Sequence, residues 1–184
     1  AKNPTVAPYA KSGEVRLRIT AKAETADEAD RMCAPVVDEI CSRLGDVVYG
    51  TDMNSIEERV VALLKEKGKK IATAESCTAG YIPKRLTDIP GASEVFECGI
   101  VSYSNDIKTK LLGVSPKTLE TYGAVSEQTA REMALGAKHV SGADIAISTT
   151  GLAGPGGDGV LPGGLSFAAV TDGERTVVEK IVTG

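Results

Sequence analysis

Histidine occurs once in this sequence of 184 residues, and none of its four cysteines forms a CxxC pair. A zinc site is therefore not expected. Cys33 and Cys41 lie eight residues apart in one predicted helix, too far apart to bond within it. Free thiols in a reducing cytoplasm are the simplest reading. No apolar run reaches the roughly 18–20 residues of a membrane span, and no signal peptide is visible, so no membrane partner is expected. Neither sign of charge dominates. The net charge of −4 gives no global argument for nucleic acid or for an anionic membrane.

The chain is long enough for one medium domain, or a medium one plus a small one. Residues 14–22 alternate apolar and polar, as a half-buried strand does. Ala29, Met32, Cys33, Val36, Val37, Ile40 and Leu44 recur at helical spacing over 26–44, with Gly45 as a stop. Residues 46–49 read as a further short strand. Residues 1–51 thus read as a small α+β unit, nearly neutral with seven basic and eight acidic residues.

A second unit opens at Ser55, which with Glu58 forms a capping box for a helix to Lys67. Residues 71–74 read as a short buried strand, followed by a helix to about Leu86. If Thr78 caps that helix, Pro83 falls about fifth in it and bends it. A strand is expected over 95–104, then a helix over 106–112 capped by Asn105. Ser115-Pro116 starts a short helix, Ser126 a longer one to about Val140, and 143–149 is a strand. Paired strands over 165–171 and 176–182 turn around Asp172-Gly173. Helices alternating with apolar strands predict a layered α/β/α domain on a central mixed sheet.

Three segments fall at predicted strand ends. The first is Glu75-Ser76-Cys77-Thr78, where a strand-to-helix turn presents a hydroxyl beside helix-start N–H groups. That arrangement suits a nucleophile with an oxyanion site, but a serine there is also a natural helix cap. Cys77 has no histidine nearby in sequence to form a thiolate pair, and packing under the turn is its simpler role. Glu75 either holds the turn by accepting backbone N–H bonds, which is the favoured role, or faces a substrate. The second segment is Tyr103 to Lys108. In a first helical turn the dipole disfavours an ammonium by about 0.3–1 kcal/mol, and burial acts in the same direction. Lys108 is then either a proton acceptor or an ordinary solvated cation. Tyr103 is placed either to orient it, to relay a proton, or simply to pack. The third segment is 151–164, in which seven of fourteen residues are glycine. It is a flexible connection or a ligand cradle, and matches neither a Walker A loop nor a GxGxxG fingerprint.

Together these segments resemble the C-terminal domain of the CinA family of competence/damage-inducible proteins. The matching stretches are Thr73-Ala-Glu-Ser-Cys-Thr-Ala-Gly80, Gly91-Ala-Ser, Gly99-Ile-Val-Ser-Tyr-Ser-Asn105 with Lys108, Gly123-Ala-Val-Ser-Glu127 and Gly151-Leu-Ala-Gly-Pro-Gly-Gly157. Residues 52–184 resemble that domain, and residues 1–51 resemble the KH-type linker of longer members. The resemblance implies a nicotinamide mononucleotide amidohydrolase, releasing ammonia and nicotinic acid mononucleotide in pyridine nucleotide salvage. By position, Ser76 would be nucleophile, Lys108 general base and Tyr103 a supporting catalytic group. Cys77, Thr78, Asn105, Gly151, Gly154, Gly156 and Gly157 would contact the substrate, and the Thr78 helix start is one option for its phosphate. The resemblance also implies a homodimer, and neither a metal nor another cofactor is required.

Three departures from the family pattern stand out. Relatives continue past the Thr-Gly at this terminus into a basic, Arg-containing segment and a final helix, so the chain is expected to be a truncated piece. The glycine loop is short between Gly157 and Pro162, and Pro83 is unusual after the nucleophile. The competing reading is a non-catalytic, regulatory nucleotide-binding domain. A nucleic-acid adaptor is disfavoured, because 1–51 contains no GXXG loop.

Overall fold

The computed structural model describes residues 3–11 and 13–183. The chain divides into two compact units, Ala1–Asp52 and Met53–Gly184. In the first, β1 (Thr5–Lys11) and β2 (Glu14–Thr20) pair antiparallel. Helix α1 (Ala26–Leu44) follows, with Thr25 Oγ1 accepting from the Glu28 amide at 3.2 Å. Strand β1 was not legible in the sequence, because Pro8 interrupts it. Proline is tolerated there since each strand of a two-stranded ribbon is an edge. Residues 46–49, expected as a strand, instead contain the end of a 3-10 turn (Gly45–Val47) and two residues without regular secondary structure. The partner of β2 is β1, so the order is strand, strand, helix. A side chain ties the last segment down, the Tyr49 hydroxyl donating to Glu14 Oε2 at 2.7 Å.

The second unit opens with α2 (Ile56–Lys67), where Ser55 Oγ accepts from the Glu58 amide and Gly68 closes the helix at φ +59°. Then come β3 (Ile71–Glu75), α3 (Tyr81–Thr87), β4 (Phe96–Val101), α4 (Asn105–Leu112), α5 (Pro116–Tyr122) and α6 (Glu127–Ser141). Strands β5 (Ile145–Gly151), β6 (Leu165–Thr171) and β7 (Thr176–Val182) complete it. The sheet order is β4-β3-β5-β6-β7. Strand β3 runs parallel to β4 and β5, while β5-β6-β7 is an antiparallel meander. This is the mixed central sheet expected.

Alternation along β3 and β5 feeds two cores. Ile71 joins Val61, Leu64, Leu86 and Val95 on one face, with Ile145 and Ile147 against them. Ala74 and Ala146 meet Leu112, Val114, Met133 and Ala137 on the other. Burying a side chain such as Leu112 or Met133 contributes about 1.5–3 kcal/mol relative to leaving it exposed. Helices α4 and α6 approach so closely that a Cβ on Gly136 would lie 1.9 Å from the Leu112 carbonyl oxygen. The parallel strands β3, β4 and β5 therefore end together between two helical layers, as open α/β sheets do where they bind ligands.

Candidate active site

Strand β3 is buried along its whole length and delivers Ser76 at its carboxyl end. The ladder continues one residue further on each side. The Ser76 amide donates to the Thr149 carbonyl at 2.9 Å, and the Ser102 amide donates to the Glu75 carbonyl at 2.8 Å. Thus the ends of β3, β4 and β5 meet at Ser76, Ser102 and Thr149.

Helix α4 brings in Lys108. Its cap is Ser104, not Asn105: Ser104 Oγ accepts from the Ile107 amide at 3.3 Å, and Asn105 is the first helical residue. Serine and asparagine cap about equally well, so adjacent candidates are not separable by type. Lys108 still falls at the end of the first turn, its amide bonded to the Ser104 carbonyl. Its side chain is 1% exposed and turns inward. Lys108 Nζ lies 3.0 Å from Ser76 Oγ, 2.9 Å from the Ser102 carbonyl and 3.0 Å from the Tyr103 carbonyl. Ser76 itself is 8% exposed. Burial pushes the Lys108 pKa below the ordinary lysine value, opposed only by the neighbouring Cys77 sulfur when ionised. Burial also pushes the Cys77 thiol up, which disfavours that anion.

The two carbonyls define what a neutral Lys108 can do. An amine has two N–H donors and one lone pair. With the donors directed to Ser102 and Tyr103, the lone pair is left for the Ser76 hydroxyl. Ser102 and Thr149 escaped the sequence reading because they act here through backbone atoms, which carry no residue-type signal. Their position at the ends of the strands flanking β3 was the available clue.

Tyr103 orients Lys108, but through its carbonyl. Its side chain is 75% exposed, and among the described residues its hydroxyl makes no hydrogen bond to Ser76 or Lys108. The turn after Ser76 also differs from expectation. Residues 77–80 form a turn and α3 begins only at Tyr81, so Cys77 and Thr78 do not open a helix. Pro83 is then the third helical residue, where no intrahelical N–H is needed and no bend follows. Thr78 Oγ1 is 2.7 Å from Thr149 Oγ1, joining the turn to β5. The amides of Cys77 and Thr78 lie against the Cys77 sulfur and partly offset the rise in its pKa. Glu75 is fully buried and holds the turn as expected, its Oε2 accepting from the amides of Gly80 at 3.2 Å and Ile82 at 3.1 Å.

The remaining expected contacts make no hydrogen bond to Ser76 or Lys108 among the described residues. Asn105 lines an open groove of about 320 Å³ with Asp106, Thr109, Lys110, Pro116 and Leu119. Gly151 ends β5 opposite Ser166. Gly154, Gly156 and Gly157 occupy the loop between β5 and β6, and among the described residues no hydrogen bond joins them to Ser76 or Lys108. Gly156 and Gly157 are both left-handed, at φ +92° and +68°. Their amides face Gly163, where a Cβ would lie 3.0 and 3.1 Å from them.

Known proteins share this sequence and this fold. Residues 53–184 match the family model of the CinA C-terminal domain, and residues 1–50 match that of the damage-inducible protein CinA KH domain. A CinA-like protein of Desulfovibrio desulfuricans is 51% identical over 170 residues, which is 92% of this chain and 40% of that one. A CinA-like protein of Kosmotoga olearia is 48% identical over 183 residues, 99% of this chain and 44% of that one. The chain thus spans less than half the length of these curated relatives. Among solved structures, the competence/damage inducible protein CihA from Agrobacterium tumefaciens matches at a TM-score of 0.67 and 39% identity, over 73% of this chain and 86% of that one. A competence or damage-inducible protein from Enterobacter asburiae matches at 0.67 and 34% identity, over 71% and 86%.

Proposed function

The chain belongs to the CinA family, and on that premise we propose that Met53–Gly184 is a Ser/Lys amidohydrolase acting on nicotinamide mononucleotide. The observation that carries the reading is the 3.0 Å approach of a buried lysine amine to a buried serine hydroxyl at the end of three parallel strands. Ser76 is the nucleophile and Lys108 the general base.

Neutral Lys108 accepts the Ser76 proton directly, so no relay through the Tyr103 phenol is needed. Ser76 Oγ attacks the carboxamide carbon. The oxyanion needs donors, and the Ser76 amide is already committed to Thr149. The amides of Cys77 and Thr78 are the nearest in sequence, and the proposal assigns them this role. As the C–N bond breaks, the Lys108 ammonium returns its proton to the leaving ammonia. Water then gives a proton to Lys108 and its oxygen to the acyl carbon, and Lys108 passes that proton to Ser76 Oγ as the ester bond breaks, releasing the acid and restoring both side chains. The loop glycines Gly154, Gly156 and Gly157 are the proposed phosphate side of the site, with cytoplasmic location and a homodimer as further expectations. The test is ammonia release from the mononucleotide by the chain, compared with Ser76→Ala and Lys108→Met.

One feature favours the non-catalytic alternative. The three acceptors around Nζ also satisfy all three donors of an ammonium, so a charged Lys108 would sit comfortably in a binding-only pocket. Binding of the mononucleotide without ammonia release at any pH up to the ordinary lysine range would select that reading.

A further inference from the structure

We propose that Glu75 is a positioning residue for Ser76, acting by reach rather than by charge; the catalytic half of this proposal rests on the amidohydrolase reading. Glu75 occupies the last position of the central strand and is 0% exposed. A carboxylate buried that deeply is costly, and an apolar residue would serve the core at less cost. Strand alternation places its side chain on the opposite face of the sheet from Ser76, so it does not meet the substrate. What it meets is the turn that follows the nucleophile.

That turn is strained. Ala79 has φ +49° and Gly80 has φ +95°, two successive left-handed residues of which only one is glycine. A left-handed alanine persists only where its surroundings over-determine it. Two backbone bonds span the turn, from the Ala79 amide to the Ser76 carbonyl at 3.2 Å and from Tyr81 to Thr78 at 3.0 Å. Thr78 Oγ1 ties the turn to Thr149 Oγ1 at 2.7 Å, and two further anchors, from the Gly80 and Ile82 amides, both go to a single atom, Glu75 Oε2. Oε1 has no hydrogen-bond partner among the described residues, nor has the Thr73 hydroxyl two residues back on the same face. One oxygen therefore carries both bonds of the clasp between the carboxylate and the Gly80 and Ile82 amides. An amide side chain of equal length can supply that oxygen, with its NH2 at the unpartnered position.

The experiment separates reach from charge with Glu75→Gln, Glu75→Asp and Glu75→Ala. Steady-state ammonia release is measured alongside the alkylation rate of Cys77, followed by peptide mass spectrometry so that Cys33, Cys41 and Cys98 are counted apart. Glu75→Gln is expected to keep kcat and Cys77 labelling within about threefold of the parent, since both amides keep an acceptor. Glu75→Ala and Glu75→Asp are expected to lose about 100-fold in kcat with little change in KM, as misplacement of a nucleophile does. In both, Cys77 should label at least about tenfold faster as the turn opens. If Ala does not fold, the Gln and Asp pair decides alone. The proposal is overturned if Asp behaves like the parent and Gln does not, or if kcat falls while Cys77 labelling is unchanged. If the parent chain releases no ammonia, the amidohydrolase reading fails, and the labelling arm still decides whether the clasp exists.

Discussion

The two halves of the proposed site are built in opposite ways. The half that holds Ser76 and Lys108 is buried and fixed by strand-end backbone atoms: the Thr149, Ser102 and Tyr103 carbonyls each take a defined hydrogen bond. The half formed by the loop from 152 to 164 is largely exposed, tied at its ends by the Leu152 and Gly164 backbone bonds and held in between by Asp158 accepting from the amides of Val160 and Leu161. The chemistry needs atoms placed to a fraction of an ångström, and a packed sheet supplies that. A substrate must enter and leave, and a glycine-rich loop on the surface permits it. Fixed backbone bonds are thus concentrated where the proposed reaction would change bonds.

The sharpest way to break this contrast is to remove a member of the rigid half. Ser76→Ala and Lys108→Met are each expected to lower kcat for ammonia release by at least about 1,000-fold, and the double variant by little more, since the two act as one unit. Steady-state kinetics on the three variants checks this, and additive losses would mean that the two side chains act separately.

Proton occupancy comes next. Only neutral Lys108 accepts the serine proton, so kcat/KM should rise about tenfold per pH unit up to the folded pKa, which burial places below the ordinary lysine value. Stability follows with a definite sign. The unfolded chain holds this proton more tightly than the folded one, so stability rises with pH through the folded pKa toward the unfolded value. Below that window the buried ammonium costs stability. Lys108→Met should therefore be most favourable to folding, relative to the parent, at pH below the folded pKa. Urea melts across the pH range measure that difference.

Glycine substitutions test the two halves against each other. A Cβ on Gly151 would lie 2.5 Å from Ser166 Cβ and 2.8 Å from the Leu165 carbonyl oxygen. Gly151→Ala should destabilise by about 1–3 kcal/mol through the β5–β6 pairing. A Cβ on Gly154 meets nothing within 4 Å, so Gly154→Ala should change stability by less than about 0.5 kcal/mol. Its effect, if the loop binds substrate, should fall on KM alone. An effect on stability between these two is expected at Thr149→Val, which removes the 2.7 Å hydroxyl contact with Thr78 but keeps the carbonyl that holds Ser76. A loss of about 0.5–1.5 kcal/mol in thermal unfolding is expected, with kcat reduced only a few-fold.

The second unit was largely legible in the sequence. Its strands and most of its helix caps are marked by local chemistry: Ser55 and Ser126 cap where expected, and β6 and β7 run over the residues expected. Ser76 and Lys108 were legible as candidates, but their contact was not, because nothing local tells that a helix side chain will turn under its own cap. The errors have local causes. Ser104 and Asn105 are both good caps in succession. Thr78 resembles a cap but bonds Thr149 instead. The small unit read less well, since its α1 stripe has no fully buried residue to enforce a pattern and Pro8 hides a strand.

The order in which the site can assemble follows from its strand pairings. The β6–β7 hairpin closes between residues as near as Thr171 and Thr176, whereas the Thr78–Thr149 contact spans 71 residues of chain. Local pairs close early and distant parallel ones late, because the longer loop loses more entropy before any contact rewards it. On refolding, hairpin structure should return first, and a serine poised against its lysine should be among the last properties the chain regains.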